Sequence, residues 1–233
     1  MRVVDPIGGL PDLDRYFRDY EQYFSGLKYY SGKLRRLMAG YSRGDDPVEL
    51  RRAFSVVITS VAGVQHELEA KGERESRVFA HQGKFAGPFR DALVLLSFGL
   101  CLRAPRSELL VVLNNSERGD PLIETIAGAA CADLAQPLTQ PAFYWVYDGL
   151  YDALARSGDE RERSVGEYLE RWYVEKMAGF AFKDEHLQPD ASGYVGYWCF
   201  EAAGVVAALA IDAKRFALHP HYPKDLAAFA LTS

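Results

Sequence analysis

Nineteen consecutive residues, Gly193 to Ile211, carry a single charge, Glu201. A helix that is apolar on every side is normally a buried one. A lone carboxylate inside it is costly unless it is hydrogen-bonded or paired. The stretch therefore reads as a central core helix holding one partnered acid, bonded to tyrosine hydroxyls or to a Lys or Arg. A membrane span fits less well. An acid at mid-bilayer is expensive, and the surrounding Ala and Gly contribute little to insertion. The following residues, His219-Pro220-His221-Tyr222-Pro223-Lys224-Asp225-Leu226, read as a segment folding back beside this helix, with Glu201 pinning helix and segment together.

The rest of the chain is helical in period. Leu13, Tyr16, Phe17, Tyr20, Phe24, Leu27, Tyr30, Leu34 and Leu37 recur at helical spacing behind Asp12. Asp46-Pro47 is an N-cap and first-turn pair for a second helix ending near Lys71-Gly72. Further helices are expected over Arg90–Arg103, Ser107–Leu113, Asp120 to about Leu134, 142–156 and 160–179, and a last one from Pro223. In 160–179, Val165, Tyr168, Leu169, Trp172, Tyr173 and Met177 form an apolar stripe. On its wet face Arg163–Glu167 and Arg171–Glu175 have the spacing of i,i+4 ion pairs. Period-two alternation is absent. The fold class is all-α, a compact bundle of about eight helices around the apolar C-terminal one. A proline-bounded segment at 136–141 divides it into residues 1–135 and 136–233, read as one packed unit.

Composition narrows the function classes. The 233 residues carry a formal net charge of −5, and the acid excess is local: residues 121–180 hold five basic and ten acidic side chains. No basic stripe of the kind nucleic-acid binding needs is present. Eight acids fall in one run and are the candidates for binding: Asp148, Asp152, Asp159, Glu160, Glu162, Glu167, Glu170 and Glu175. The plain reading of that run is a solvated helix face. The functional reading is a patch that steers toward a basic partner. Cys101, Cys131 and Cys199 form no Cys-x-x-Cys motif and read as buried reduced thiols of a cytoplasmic protein.

Familiar catalytic and metal signatures fail on inspection. Gly26 to Lys33 resembles a phosphate loop but has Leu34 where Ser or Thr must bind magnesium. His66-Glu67-Leu68-Glu69-Ala70 lacks the second His of a zinc helix, and His219-x-His221 lacks a third ligand. No metal or cofactor is expected. Glu201 with Tyr197 or His221 stays open as an acid/base pair of a small helical enzyme.

The C-terminal residues add a resemblance. Gly196-Tyr197-Trp198-Cys199-Phe200-Glu201-Ala202-Ala203, an acid at Asp212, and Tyr222-Pro223-Lys224-Asp225-Leu226 resemble the signature of the PoNi family. These are bacterial immunity proteins that neutralise polymorphic nuclease (PoNe) toxins, many delivered by type VI secretion systems. Family members often carry consecutive acids after the central helix, whereas this chain has only Asp212 there. The resemblance implies a cytoplasmic, non-enzymatic, all-helical inhibitor that covers its cognate DNase toxin's active site. Under it, Gly196, Tyr197, Trp198, Glu201, Asp212, Tyr222, Pro223 and Asp225 hold the scaffold, and the acids of 148–175 meet the toxin. A generic helical adaptor and a homodimer stay open as alternatives.

Overall fold

The computed structural model describes residues 29–72, 77–80, 86–178, 180, 183–187 and 195–231. Residues 12–28 of the first expected helix, and Gly193 and Tyr194 of the apolar stretch, lie outside the described residues. Among the described residues there are nine α-helices and no strand, as the helical periodicity implies. No described helix is long and apolar enough to cross a membrane.

The chain divides into two units, residues 1–76 with 179–197, and residues 77–178 with 198–233. In the first, helices α1 (Tyr29–Arg43) and α2 (Pro47–Ala70) pack on each other through a tight connection. Asp46 caps α2 by accepting the Glu49 N–H at 2.9 Å, with Pro47 at the first position. This is the arrangement a sequence of Asp-Pro predicts, because proline lacks the N–H that would otherwise go unsatisfied. Leu50, Phe54, Val57, Ile58, Val61, Val64 and Leu68 form the buried stripe of α2.

The second unit holds α3 (Ala86–Cys101), α4 (Arg106–Asn114), α5 (Pro121–Ala130), α6 (Tyr144–Ala155), α7 (Gly158–Arg171), α8 (Phe200–Ala208) and α9 (Lys224–Leu231). Helices α3 and α8 form its centre. Both are buried along nearly their whole length, and α5 and α9 pack against both of them. Their approach is close because α8 carries glycine at the crossing. A Cβ built on Gly204 would stand 2.7 Å from the Ser97 Cβ, well inside van der Waals contact. Helix α6 packs on α7 in the same way: a Cβ on Gly149 would stand 2.7 Å from the Ser164 carbonyl oxygen and from the Tyr168 Cβ.

The central helix is shorter than the apolar run that announces it. It begins at Phe200, not Gly193, and ends at Ala208. Two local causes are visible. Gly196 has φ +88, a left-handed conformation that glycine alone adopts at no steric cost. Cys199 is non-helical (φ −82, ψ 75), and its N–H donates to the His221 carbonyl at 2.8 Å. Apolarity alone marked burial correctly but not helicity. Similarly, α5 stops at Ala130, followed by a short 3-10 turn at Ala132–Leu134. Ser157 precedes α7 without a capping side-chain bond. Cys101 and Cys199 are buried and free, but Cys131 is partly exposed and its thiol donates to Asp133 at 2.8 Å. Burial pushes the Cys101 thiol up to about 12.

Candidate functional site

Two groups of residues compete for a functional role in the second unit, the signature around α8 and the acids of α6 and α7. Their environments differ.

Glu201 is fully buried in the first turn of α8. Its Oε1 accepts the Trp172 indole N–H at 2.9 Å. The donor is thus an indole, not the tyrosine hydroxyl or Lys/Arg expected from sequence. The bond ties α8 to the end of α7, while the backbone bond from Cys199 to His221 fastens the Tyr222-Pro223 segment. The His221 ring lies against both Trp172 and Tyr173, at 5.3 Å between centroids in each case. Tyr222 is buried against Phe216 at 5.5 Å. Burial first, and then the Glu201 charge, hold both the Tyr147 and Cys199 side chains well above their ordinary ranges.

The remaining signature positions do structural work. The Tyr197 hydroxyl bonds the His186 Nδ1 at 2.6 Å. Trp198 is half-buried. Asp212 caps the short turn Ala213–Phe216 by accepting the Lys214 N–H at 3.0 Å. Pro223 immediately precedes α9, and Asp225 lies in its first turn, where the helix dipole favours an acid.

Sequence reasoning missed a second buried charge. Glu124 on α5 has a fully buried side chain and accepts four bonds, from Arg118 Nε (2.8 Å) and Nη2 (2.6 Å), the Gly119 N–H (2.7 Å) and the Gln136 N–H (2.8 Å). Burial opposes its ionisation, but these donors outweigh that cost and hold its carboxyl below the usual range. Asp120 beside it accepts the Leu122 and Ala142 N–H groups and the Tyr151 hydroxyl. Together the two acids fasten the loops that lead into α5 and α6. Their partners lie up to 31 residues away, so no local pattern could announce them.

The eight acids of 148–175 separate into two classes. Asp148 accepts from Lys176 Nζ at 2.7 Å and from Arg171 at 3.2 Å. Burial opposes its charge, yet Lys176, the Gly149 N–H and Arg171 together hold it below the usual carboxylate range. Asp152 accepts from the Tyr144 hydroxyl (2.7 Å) and from Arg156 (2.9 Å). Glu162 pairs with Arg215 at 2.6 Å, and Glu175 with Arg171 at 3.6 Å. These four are compensated within the chain.

The other four are open. Asp159 is 85% exposed, with only a 3.8 Å contact to Arg215. Glu170 is 78% exposed and reaches only His219, at 3.8 Å. Burial lowers the His219 pKa, outweighing Glu170, so the ring is not a strong counter-charge at neutral pH. Glu160 and Glu167 are exposed on the same helix. The expected Arg163–Glu167 pair does not form within 4 Å, whereas Arg171–Glu175 does. At 3.6 residues per turn, Asp159, Glu160, Arg163, Glu167 and Glu170 fall within an arc of about 100°. Helix α7 thus presents an open acidic stripe with one arginine in it.

Residues 118–226 match the model of the PoNe immunity proteins (PoNi), C-terminal family. The match supports the PoNi family for this region of the chain. The matched region runs from Arg118, the partner of Glu124, through the acidic helix and the Glu201 core to Leu226. It contains every candidate acid and every signature residue named above. The PoNi family is one of immunity proteins against PoNe nuclease toxins. No curated protein and no solved structure matches the chain.

Proposed function

We propose that this chain is an immunity protein that binds a cognate secreted DNase toxin and covers its active site with the acidic stripe of α7. The observation that carries the reading is the family match over a region that includes this stripe. A nuclease must present positive charge to the phosphate backbone of its substrate. An open row of carboxylates is complementary to such a surface, speeding encounter and suppressing wrong partners. The signature, with Glu201 and Tyr222 in the core, keeps the stripe in place and takes no direct part. The protein acts without catalysis or cofactor, in the cytoplasm of the cell it protects, against a toxin of the type VI secretion class.

Asp159, Glu160, Glu167 and Glu170 are the contact acids under this reading. Asp148 and Glu162 tie neighbouring elements together, while Asp152 and Glu175 are paired within their own segments. Specificity for one toxin over its relatives arises from the outer residues of α6 and α7, since a shared core cannot discriminate.

The test is co-expression with its candidate cognate, a PoNe-type nuclease toxin. Cells should survive with the pair and die with the toxin alone. Equal killing in both would refute the reading.

A further inference from the structure

Of the chain's three tryptophans, Trp172 is fully buried and Trp198 half-buried, but Trp145 is 69% exposed. It stands at the start of α6 beside Tyr144, itself an exposed ring. Val174, 70% exposed, lies at the end of α7. The two helix ends are joined by Lys176, whose ammonium donates to the Trp145 carbonyl at 3.1 Å and to Asp148 at 2.7 Å.

Both helices are irregular at this junction. Tyr147 departs from helical geometry (φ −113, ψ 25), kinking α6. Residues Trp172–Lys176 form a π turn, closed by the Met177 N–H donating to the Trp172 carbonyl at 3.0 Å. Such wide turns cost regular hydrogen bonding and occur frequently at functional positions. The wide turn precedes Met177 and includes both Val174 and Lys176, so the irregular backbone is the part that carries the exposed valine and the bridging ammonium.

The junction is also held in advance of any partner. The Tyr144 ring stacks on Tyr151 at 5.9 Å between centroids, and its hydroxyl is fixed on Asp152. Asp148 is neutralised by Lys176 and Arg171. The result is an aromatic and aliphatic centre whose charges are satisfied internally. Arg171 borders it, contacting Asp148, Glu175 and the Glu167 carbonyl. An apolar centre with aromatic anchors and a charged margin is the anatomy of a protein-binding hot spot.

We infer that Trp145, with Tyr144 and Val174, is the anchor of the partner interface, and that its occupant is the basic surface of the nuclease toxin. The inference rests on the immunity reading above and adds to it the residue that makes the complex long-lived. The acids of α7 attract the partner. Trp145 then takes an Arg or Lys side chain of the toxin over its ring face. The charge of the neighbouring stripe selects this occupant over a neutral or acidic one.

The two roles separate kinetically. In surface-immobilised binding measurements with the catalytic domain of the cognate PoNe-type nuclease, Trp145→Ala should raise Kd by about 30-fold or more. Nearly all of that change should lie in the dissociation rate and persist at high salt. Thermal unfolding should be unaltered, because the ring is exposed and Lys176 binds the backbone carbonyl. Trp145→Phe should recover part of the affinity. If the wild-type chain binds but Trp145→Ala binds within about threefold of it, the anchor is elsewhere and the immunity reading stands. A wild-type chain that neither binds nor protects removes both. A dimer of the chain that Trp145→Ala dissociates would overturn the assignment, making the patch a self-interface.

Discussion

Glu201 and Glu170 are both glutamates of the family-matched region, and they mark opposite ways of using a carboxylate. Glu201 is withdrawn from water and spends its charge on an indole N–H inside the core. Glu170 is exposed and has only a weakly basic imidazole at 3.8 Å. A buried charge that loses its partner is expensive, so the first kind constrains folding. An exposed charge contributes little to stability, so the second kind is free to serve a partner. The difference predicts that the residues most diagnostic of the family will control stability, and that recognition will change with the stability left intact.

The strongest way to break this division is at the other buried charge. Arg118→Ala removes both guanidinium bonds to a fully buried Glu124 and should cost about 3–5 kcal/mol in urea unfolding. A loss under about 1 kcal/mol would mean that the backbone donors suffice. Next in size is Trp172→Phe, which keeps an aromatic ring while deleting the Glu201 donor, and should cost about 1–3 kcal/mol. Its folded fraction should bind toxin with unchanged affinity. Reduced affinity in fully folded protein would place Trp172 in recognition.

A smaller effect concerns pH. The His219 pKa lies below its ordinary 6.5 in the folded chain, chiefly through burial. The unfolded state therefore takes up the proton more readily. The stability that His219 contributes is present above pH 6.5 and is lost as pH falls through the folded value. Unfolding free energy measured from pH 7 to pH 5 should decline, and His219→Gln should flatten that decline. The limb at still lower pH, where Glu124 and Asp148 protonate, should remain, since both are held below the usual range and stabilise only when ionised. An identical slope from pH 7 to 5 in the variant would assign the effect to another group.

What could be read in advance follows the range of the interactions. The all-α class, the Asp46-Pro47 helix start and the buried stripe of α2 rest on spacing within one or two turns, and the sequence carries that information locally. Burial of Glu201 was also legible, because eighteen apolar or small neighbours leave no other reading. Its donor was not, since Trp172 is 29 residues away. The same holds for the acids. Asp148 looks as free as Glu160 in sequence, and only tertiary structure brings Lys176 onto it from 28 residues away. The exposure of Trp145 was hidden within a run of aromatics, Phe143, Tyr144, Trp145 and Tyr147, of which Phe143 and Tyr147 are buried. The kink at Tyr147 and the π turn after Arg171 set the phase of these side chains, and neither has a local sequence signal.

The proposed toxin contact rests on the open stripe of α7. Glu160, Glu167 and Glu170 can be changed to Lys together while Glu162 is retained, because Glu162 holds Arg215 at 2.6 Å. The measurement is the association rate of this variant with the cognate PoNe-type nuclease, taken across a salt series alongside thermal unfolding. The variant should unfold within a few degrees of the wild type. Its association should slow by about tenfold or more at low salt, with the wild type's salt dependence largely abolished. An association rate and salt dependence equal to the wild type's would contradict the claim that α7 faces the toxin.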